Sequence, residues 1–175
     1  MITKNNTIKV MEFFLKYPER KFHLRELERL TKLSLPAVKN IVKKLEKEHL
    51  LKSKKSKILT SIYAIRNKKF IQLKRSYNIY TLFSVGFIDY LRDIYEEPEA
   101  IILFGSYSKG EDISISDIDI AIINSNHKEI NYTIFERKLS RKITIYEIQL
   151  KKTEKDFLNT LANGIVMNGY LKILK

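Results

Sequence analysis

At 175 residues the chain can form one or two domains with a real core, and without cysteine it excludes disulfides, thiolate nucleophiles and cysteine-based zinc sites. It holds no apolar run long enough to span a membrane and no signal-peptide pattern, so a soluble, cytoplasmic protein is expected. The net charge of +13 is confined to one part of the chain: residues 1–76 carry 21 Lys and Arg against 6 Asp and Glu, or +15, and residues 77–175 carry 12 against 14, or −2. A basic half joined to a near-neutral half implies a polyanionic partner for the first half. With no amphipathic membrane helix in evidence, nucleic acid is the expected one. His23, His49 and His127 are scattered without ligand spacing and read as structural or surface residues.

The basic half opens with apolar residues at helical spacing, Ile8, Val10, Met11, Phe14 and Leu15, and Tyr17-Pro18 ends that helix. A second short helix is predicted over His23 to Thr31, followed by the tight turn Lys32-Leu33-Ser34. A third begins at Ser34 or Leu35, where Pro36 is tolerated in the first turn. Its buried face would be Val38, Ile41, Val42 and Leu45, and opposite lie Lys39, Asn40, Lys43, Lys44 and Lys47. Leu50 to Arg66 has the pattern of a β-hairpin with Lys52, Lys54, Lys55 and Lys57 towards its tip. This stretch, LRELERLTKLSLPAVKNIVKKLEKEHLL above all, resembles the winged helix-turn-helix domains of prokaryotic transcription regulators. The resemblance implies a third helix in the major groove of double-stranded DNA and a wing on its phosphates. Because the exposed helix face carries lysine and no arginine, backbone binding is better supported than tight base readout. Asn40, and Ser34 or Thr31 near the helix start, are the base-contact candidates.

Lys68 to Tyr95 is long and aromatic, with Phe70, Leu73, Tyr77, Tyr80, Phe83, Phe87, Leu91 and Ile94 at approximate helical intervals. A linker helix packing on the C-terminal domain is expected, interrupted only mildly at Gly86. Its aromatic surplus invites a homodimer interface.

Leu103 to Ile123 reads LFGSYSKGEDISISDIDIAII. A Gly-Ser pair follows an apolar strand, a basic loop comes next, and then Asp117 and Asp119 stand two apart at the start of another strand. Side chains alternate along a strand, so the two carboxylates share a face. They would repel unless a cation lay between them, and Mg²⁺ favours such oxygen ligands. Gly105 lets the main chain approach phosphate oxygens, with Ser106 offering a hydroxyl. Gly105, Ser106, Lys109, Gly110, Glu111, Ser116, Asp117 and Asp119 together resemble the signature of the DNA polymerase β-like nucleotidyltransferases, in particular their small prokaryotic members. The resemblance implies Mg²⁺ on Asp117 and Asp119 as catalytic and metal-binding residues. It implies a nucleotide, ATP first, on Gly105, Ser106, Lys109 and Ser116. Tyr107 stands where an arginine is frequent in that family.

The family also uses a third carboxylate on a neighbouring strand. In KITIYEIQL, residues 142–150, register with the family places that position at Thr144, which can neither supply an anionic ligand nor act as a base. Glu147 is the strand's only acid, and its odd offset puts it on the opposite face unless a bulge intervenes. Beyond this strand, Thr153 is expected to cap a helix running through Leu161.

The chain is therefore expected to be α+β: a winged helix-turn-helix over 1–67, a linker helix over 68–98, and a nucleotidyltransferase-fold mixed sheet flanked by helices over 99–175. Two functions share this architecture. One is a DNA-binding transcriptional regulator whose second domain binds Mg–NTP. The other is an active nucleotidyltransferase moving NMP to a protein, nucleic-acid or small-molecule acceptor.

Overall fold

The computed structural model describes residues 5–56, 60–124 and 126–172, and these fall into two compact units, 1–73 and 74–175.

In the first unit, helix α1 (Asn6–Lys16) starts where the Asn5 side chain accepts from the Thr7 amide at 2.9 Å, and it buries Val10, Met11, Phe14 and Leu15. A two-residue strand β1 (Phe22–His23) leads into α2 (Leu24–Thr31), whose start is tied by the Glu26 carboxylate accepting from the His23 amide at 3.3 Å. Lys32, in the left-handed region at φ 57°, ends α2, and α3 (Leu35–Lys47) follows after two further residues. Strands β2 (Leu51–Lys55) and β3 (Thr60–Ala64) pair antiparallel, and β1 adds to β3, giving the order β1-β3-β2. Leu27, Val38, Val42, Leu45, Leu51 and Ile62 are buried. Ile41, expected among them, is only partly so.

Helix α4 (Lys68–Ser84) crosses the division between the units. The single linker helix expected through Tyr95 is instead two: α4 ends at Ser84 and α5 runs Phe87–Ile94. Gly86 sits at φ 77°, where a right-handed helix cannot continue, and its carbonyl then accepts from the Tyr90 amide as α5 begins. The interruption is a full break.

The rest of the second unit is a four-stranded sheet with helices around it. The strands are β4 (Ala100–Phe104), β5 (Ile118–Ile123), β6 (Ile143–Ile148) and β7 (Ile165–Gly169), in the order β6-β5-β4-β7. Between them lie α6 (Gly105–Lys109), α7 (Thr133–Leu139) and α8 (Lys155–Ala162). β4 pairs antiparallel with both β5 and β7, whereas β5 and β6 run parallel, joined by the crossover that contains α7. Alternation then assigns the faces. Ile101, Leu103, Ile118, Ile120, Ile122 and Ile143 pack with Leu82, Phe87, Leu91 and Phe135, and Ile102, Phe104, Ala121 and Ile123 pack on the other side with Leu161 and Phe157.

Thr153 does not cap the last helix. Its hydroxyl donates back to the Gln149 carbonyl at 2.9 Å across a 3-10 turn (Leu150–Lys152), and Glu154 holds the cap position of α8. Among the described residues, no helix is long and apolar enough to cross a membrane.

Candidate functional site

β4 is buried at every residue and ends directly in α6, so the Gly105-Ser106 pair lies at the strand-to-helix junction. Gly105 adopts φ 70°, and a Cβ there would overlap the carboxylate of Asp119. Phe104 and Asp119 are register partners across β4 and β5, which brings that carboxylate against the junction. The glycine is required twice: for a backbone angle that side chains resist, and for the room Asp119 occupies. The first amides of a helix have no intrahelical acceptor, so the main chain beside Asp119 presents donors.

Asp119 lies on the β5 face shared with Ala121 and Ile123, and Asp117 precedes it by two residues, exposed just before the strand. Partial burial raises the pKa of the Asp119 carboxyl, and the negative charge of Asp117 raises it further. That repulsion is the kind a divalent cation relieves. Mg²⁺ is usually held by one or two carboxylates together with waters and phosphate oxygens, and this donor set fits that chemistry. Among the described residues, no group of three acidic, histidine or cysteine side chains could hold a metal.

The parallel pairing of β5 and β6 sets Thr144 opposite Asp119 and Glu147 opposite Ile122. The position in register with the carboxylate is thus a threonine, and Glu147 is on the other face of the sheet. There it accepts from the Tyr95 hydroxyl at 2.7 Å and the Lys128 amide at 3.1 Å, and lies 2.6 Å from Nδ1 of His127. Burial opposes its charge, but these contacts prevail and hold its carboxyl below the ordinary value. His127 and Lys128 thereby tie the β5–α7 connection to the sheet, and Tyr95 ties the end of α5 to it.

The remaining motif residues divide by exposure and bonding. Lys109 is exposed at the end of α6. Tyr107 is buried, its hydroxyl 3.2 Å from that of Thr81, and burial pushes its phenol up to about 12. A side chain so placed does not replace the arginine frequent at this position. The Ser116 hydroxyl accepts the Ile113 amide at 3.0 Å, closing the turn that precedes Asp117. Asp112 was not singled out in the sequence, yet it is the most enclosed acid of the motif segment. Lys74 Nζ and Asn78 Nδ2 each donate to it at 2.8 Å.

In the first unit Lys39, Asn40, Lys43, Lys44 and Lys47 are all exposed along α3, with exposed Ser34 at its N-cap. Lys52, Lys54 and Lys55 are exposed on β2, and Lys57 lies outside the described residues.

Residues 88–171 match the family model described as Polymerase beta, Nucleotidyltransferase. The C-terminal unit carries a nucleotidyltransferase-fold domain, a class that in general implies an NTP substrate and a divalent metal. No curated protein matches the chain significantly.

Proposed function

We propose that the chain is a DNA-binding transcriptional regulator whose nucleotidyltransferase-fold domain binds Mg–NTP without being equipped to turn it over. The observation that carries this reading is the register of β6. Thr144 stands opposite Asp119, and the strand's only acid is engaged on the far face. A nucleotidyl transfer needs its attacking hydroxyl activated, and threonine at that position supplies neither a base nor an anionic ligand. Gly105, Ser106, Asp117 and Asp119 remain suited to phosphate and metal, with exposed Lys109 a further phosphate partner. Mg²⁺ held by the two aspartates would neutralise phosphate charge, and ATP is the first nucleotide to test.

DNA binding rests on the first unit. Its order of helix, short strand, helix, tight turn, helix and a pair of antiparallel strands supports the winged helix-turn-helix reading. Its third helix and wing strand carry the exposed lysines, which suit phosphates as point charges. Tyr80 and Phe83 of α4 are exposed and would serve a homodimer reading two half-sites. The alternative, an active transferase with its base supplied by the acceptor or its partner, is favoured by the intact Asp117–Asp119 pair.

Calorimetric titration of the chain with Mg–ATP and Mg–GTP tests the reading, with an Asp117→Asn/Asp119→Asn double variant as control. Binding by the wild type that disappears in the variant is expected. An absence of wild-type binding to either nucleotide would refute the nucleotide part, and transfer of labelled NMP to any acceptor would favour the alternative.

A further inference from the structure

The segment Gly110–Ser116 joins the two halves of the motif, running from the end of α6 to Asp117. Its third residue, Asp112, has a fully buried side chain. Three side chains from outside the segment reach that carboxylate. Lys74 Nζ lies 2.8 Å from Oδ2, Asn78 Nδ2 lies 2.8 Å from Oδ1, and an Arg141 guanidinium nitrogen lies 3.5 Å from Oδ2. Lys74 and Arg141 are themselves buried. Asn78 also donates to the Tyr107 carbonyl in α6 at 2.8 Å, so α4 grips both the helix and the segment that leaves it.

Such a cluster is a poor way to stabilise a fold. Removing a carboxylate and two cations from water incurs a desolvation penalty of several kcal/mol per ion, and well-packed apolar residues in their place are often neutral or stabilising. What charged groups supply and apolar ones do not is direction: each hydrogen bond fixes an atom at a set distance and angle. The cluster acts on the loop between Asp117 and α6, the helix that begins at the Gly105-Ser106 junction.

We propose that Asp112, held by Lys74, Asn78 and Arg141, is a positioning residue that sets the spacing between the phosphate-facing junction and the carboxylate pair. Its consequence for Mg–nucleotide binding rests on the functional reading above, whereas its consequence for loop order does not.

Hydrogen exchange followed residue by residue in the full chain separates these. In a Lys74→Met/Asp112→Leu/Arg141→Met variant, the thermal midpoint should stay near that of the wild type. The amides of Glu111, Ile113 and Ser116 should exchange at least tenfold faster, with the amides of β4 and β5 unchanged. Mg–ATP affinity should fall at least tenfold. Wild-type protection of the three loop amides in that variant would overturn the proposal, whatever the nucleotide result. Were the triple variant to lose its cooperative transition, Asp112→Asn decides by the same loop-against-strand comparison. If wild-type protein fails to bind Mg–ATP, the nucleotide reading falls and the exchange data still judge the loop.

Discussion

Replacing Thr144 with aspartate would restore a third carboxylate where the sheet register places one opposite Asp119. Neighbouring strands lie about 4.8 Å apart, so the new charge would stand roughly 5 Å from that of Asp119. Two like charges at that separation repel by about 1 kcal/mol in water and about 3 kcal/mol at an effective dielectric constant near 20. Asp119 is only partly buried, which favours the lower part of that range. For a domain of about 100 residues, each kcal/mol moves the melting midpoint by roughly 4–8 °C. Thr144→Asp should therefore melt about 5–15 °C below wild type in EDTA at pH 7. The sign with pH is fixed by the pKa of Asp119, already raised in the folded state. Such a group favours the fold when protonated, and that contribution is lost as pH rises through the folded pKa. The deficit of the variant should accordingly shrink as the solution is acidified. Mg²⁺ should reverse it at neutral pH, since three carboxylates bind a divalent cation more tightly than two, and ligand at 100 times its Kd adds about 2.7 kcal/mol. Differential scanning calorimetry with and without Mg²⁺ reads both effects. Equal Mg²⁺ responses in variant and wild type would show that residue 144 does not face the carboxylate pair.

Gly105→Ala should destabilise the C-terminal unit by about 1–2 kcal/mol from the left-handed backbone alone. It should also abolish Mg–ATP binding in calorimetry, because the methyl group takes the space of the Asp119 carboxylate. Lys43→Glu and Lys55→Glu should each weaken binding to duplex DNA and lower the slope of log K against log salt by about one. An unchanged slope would remove those lysines from the DNA interface. Glu147, whose pKa is lowered in the fold, contributes stability that is present above its ordinary value of 4.5 and is lost as pH falls through the folded value. Glu147→Gln should thus flatten the acid limb of a stability-pH profile below about pH 4.5 and leave Mg–ATP affinity unchanged.

The site's local geometry was legible because it obeys a period of two. Given the strand, Glu147 had to lie on the face opposite Thr144, whereas Asp117 lies just before β5, where alternation does not reach it. The helices of the first unit were legible for a similar reason, with Pro18 and the Lys32-Leu33-Ser34 turn punctuating clear apolar stripes. The break at Gly86 was not. Glycine is tolerated in many helices, and only the left-handed angle it adopts here turns tolerance into termination. Thr153 misled because threonine is a favoured cap type and glutamate is not, yet the 3-10 turn takes up Thr153 and α8 starts after Glu154. Asp112 was invisible for a different reason. Its partners lie 38, 34 and 29 residues away in the chain, and no local pattern distinguishes a loop acid bound for the interior from one bound for solvent.

β6 is the edge of its sheet, whereas β5 is flanked on both sides. Asp119 and the residue in register with it, Thr144, therefore differ in how freely they can drift. Asp119 is locked to its neighbours: the glycine beside it has given up a side chain to make space, and a change at either residue disturbs the other. Thr144 sits on the sheet's margin, half-exposed, where almost any strand-forming residue is accommodated. Residue 144 can therefore change at the rim of the sheet without disturbing the Gly105–Asp119 contact.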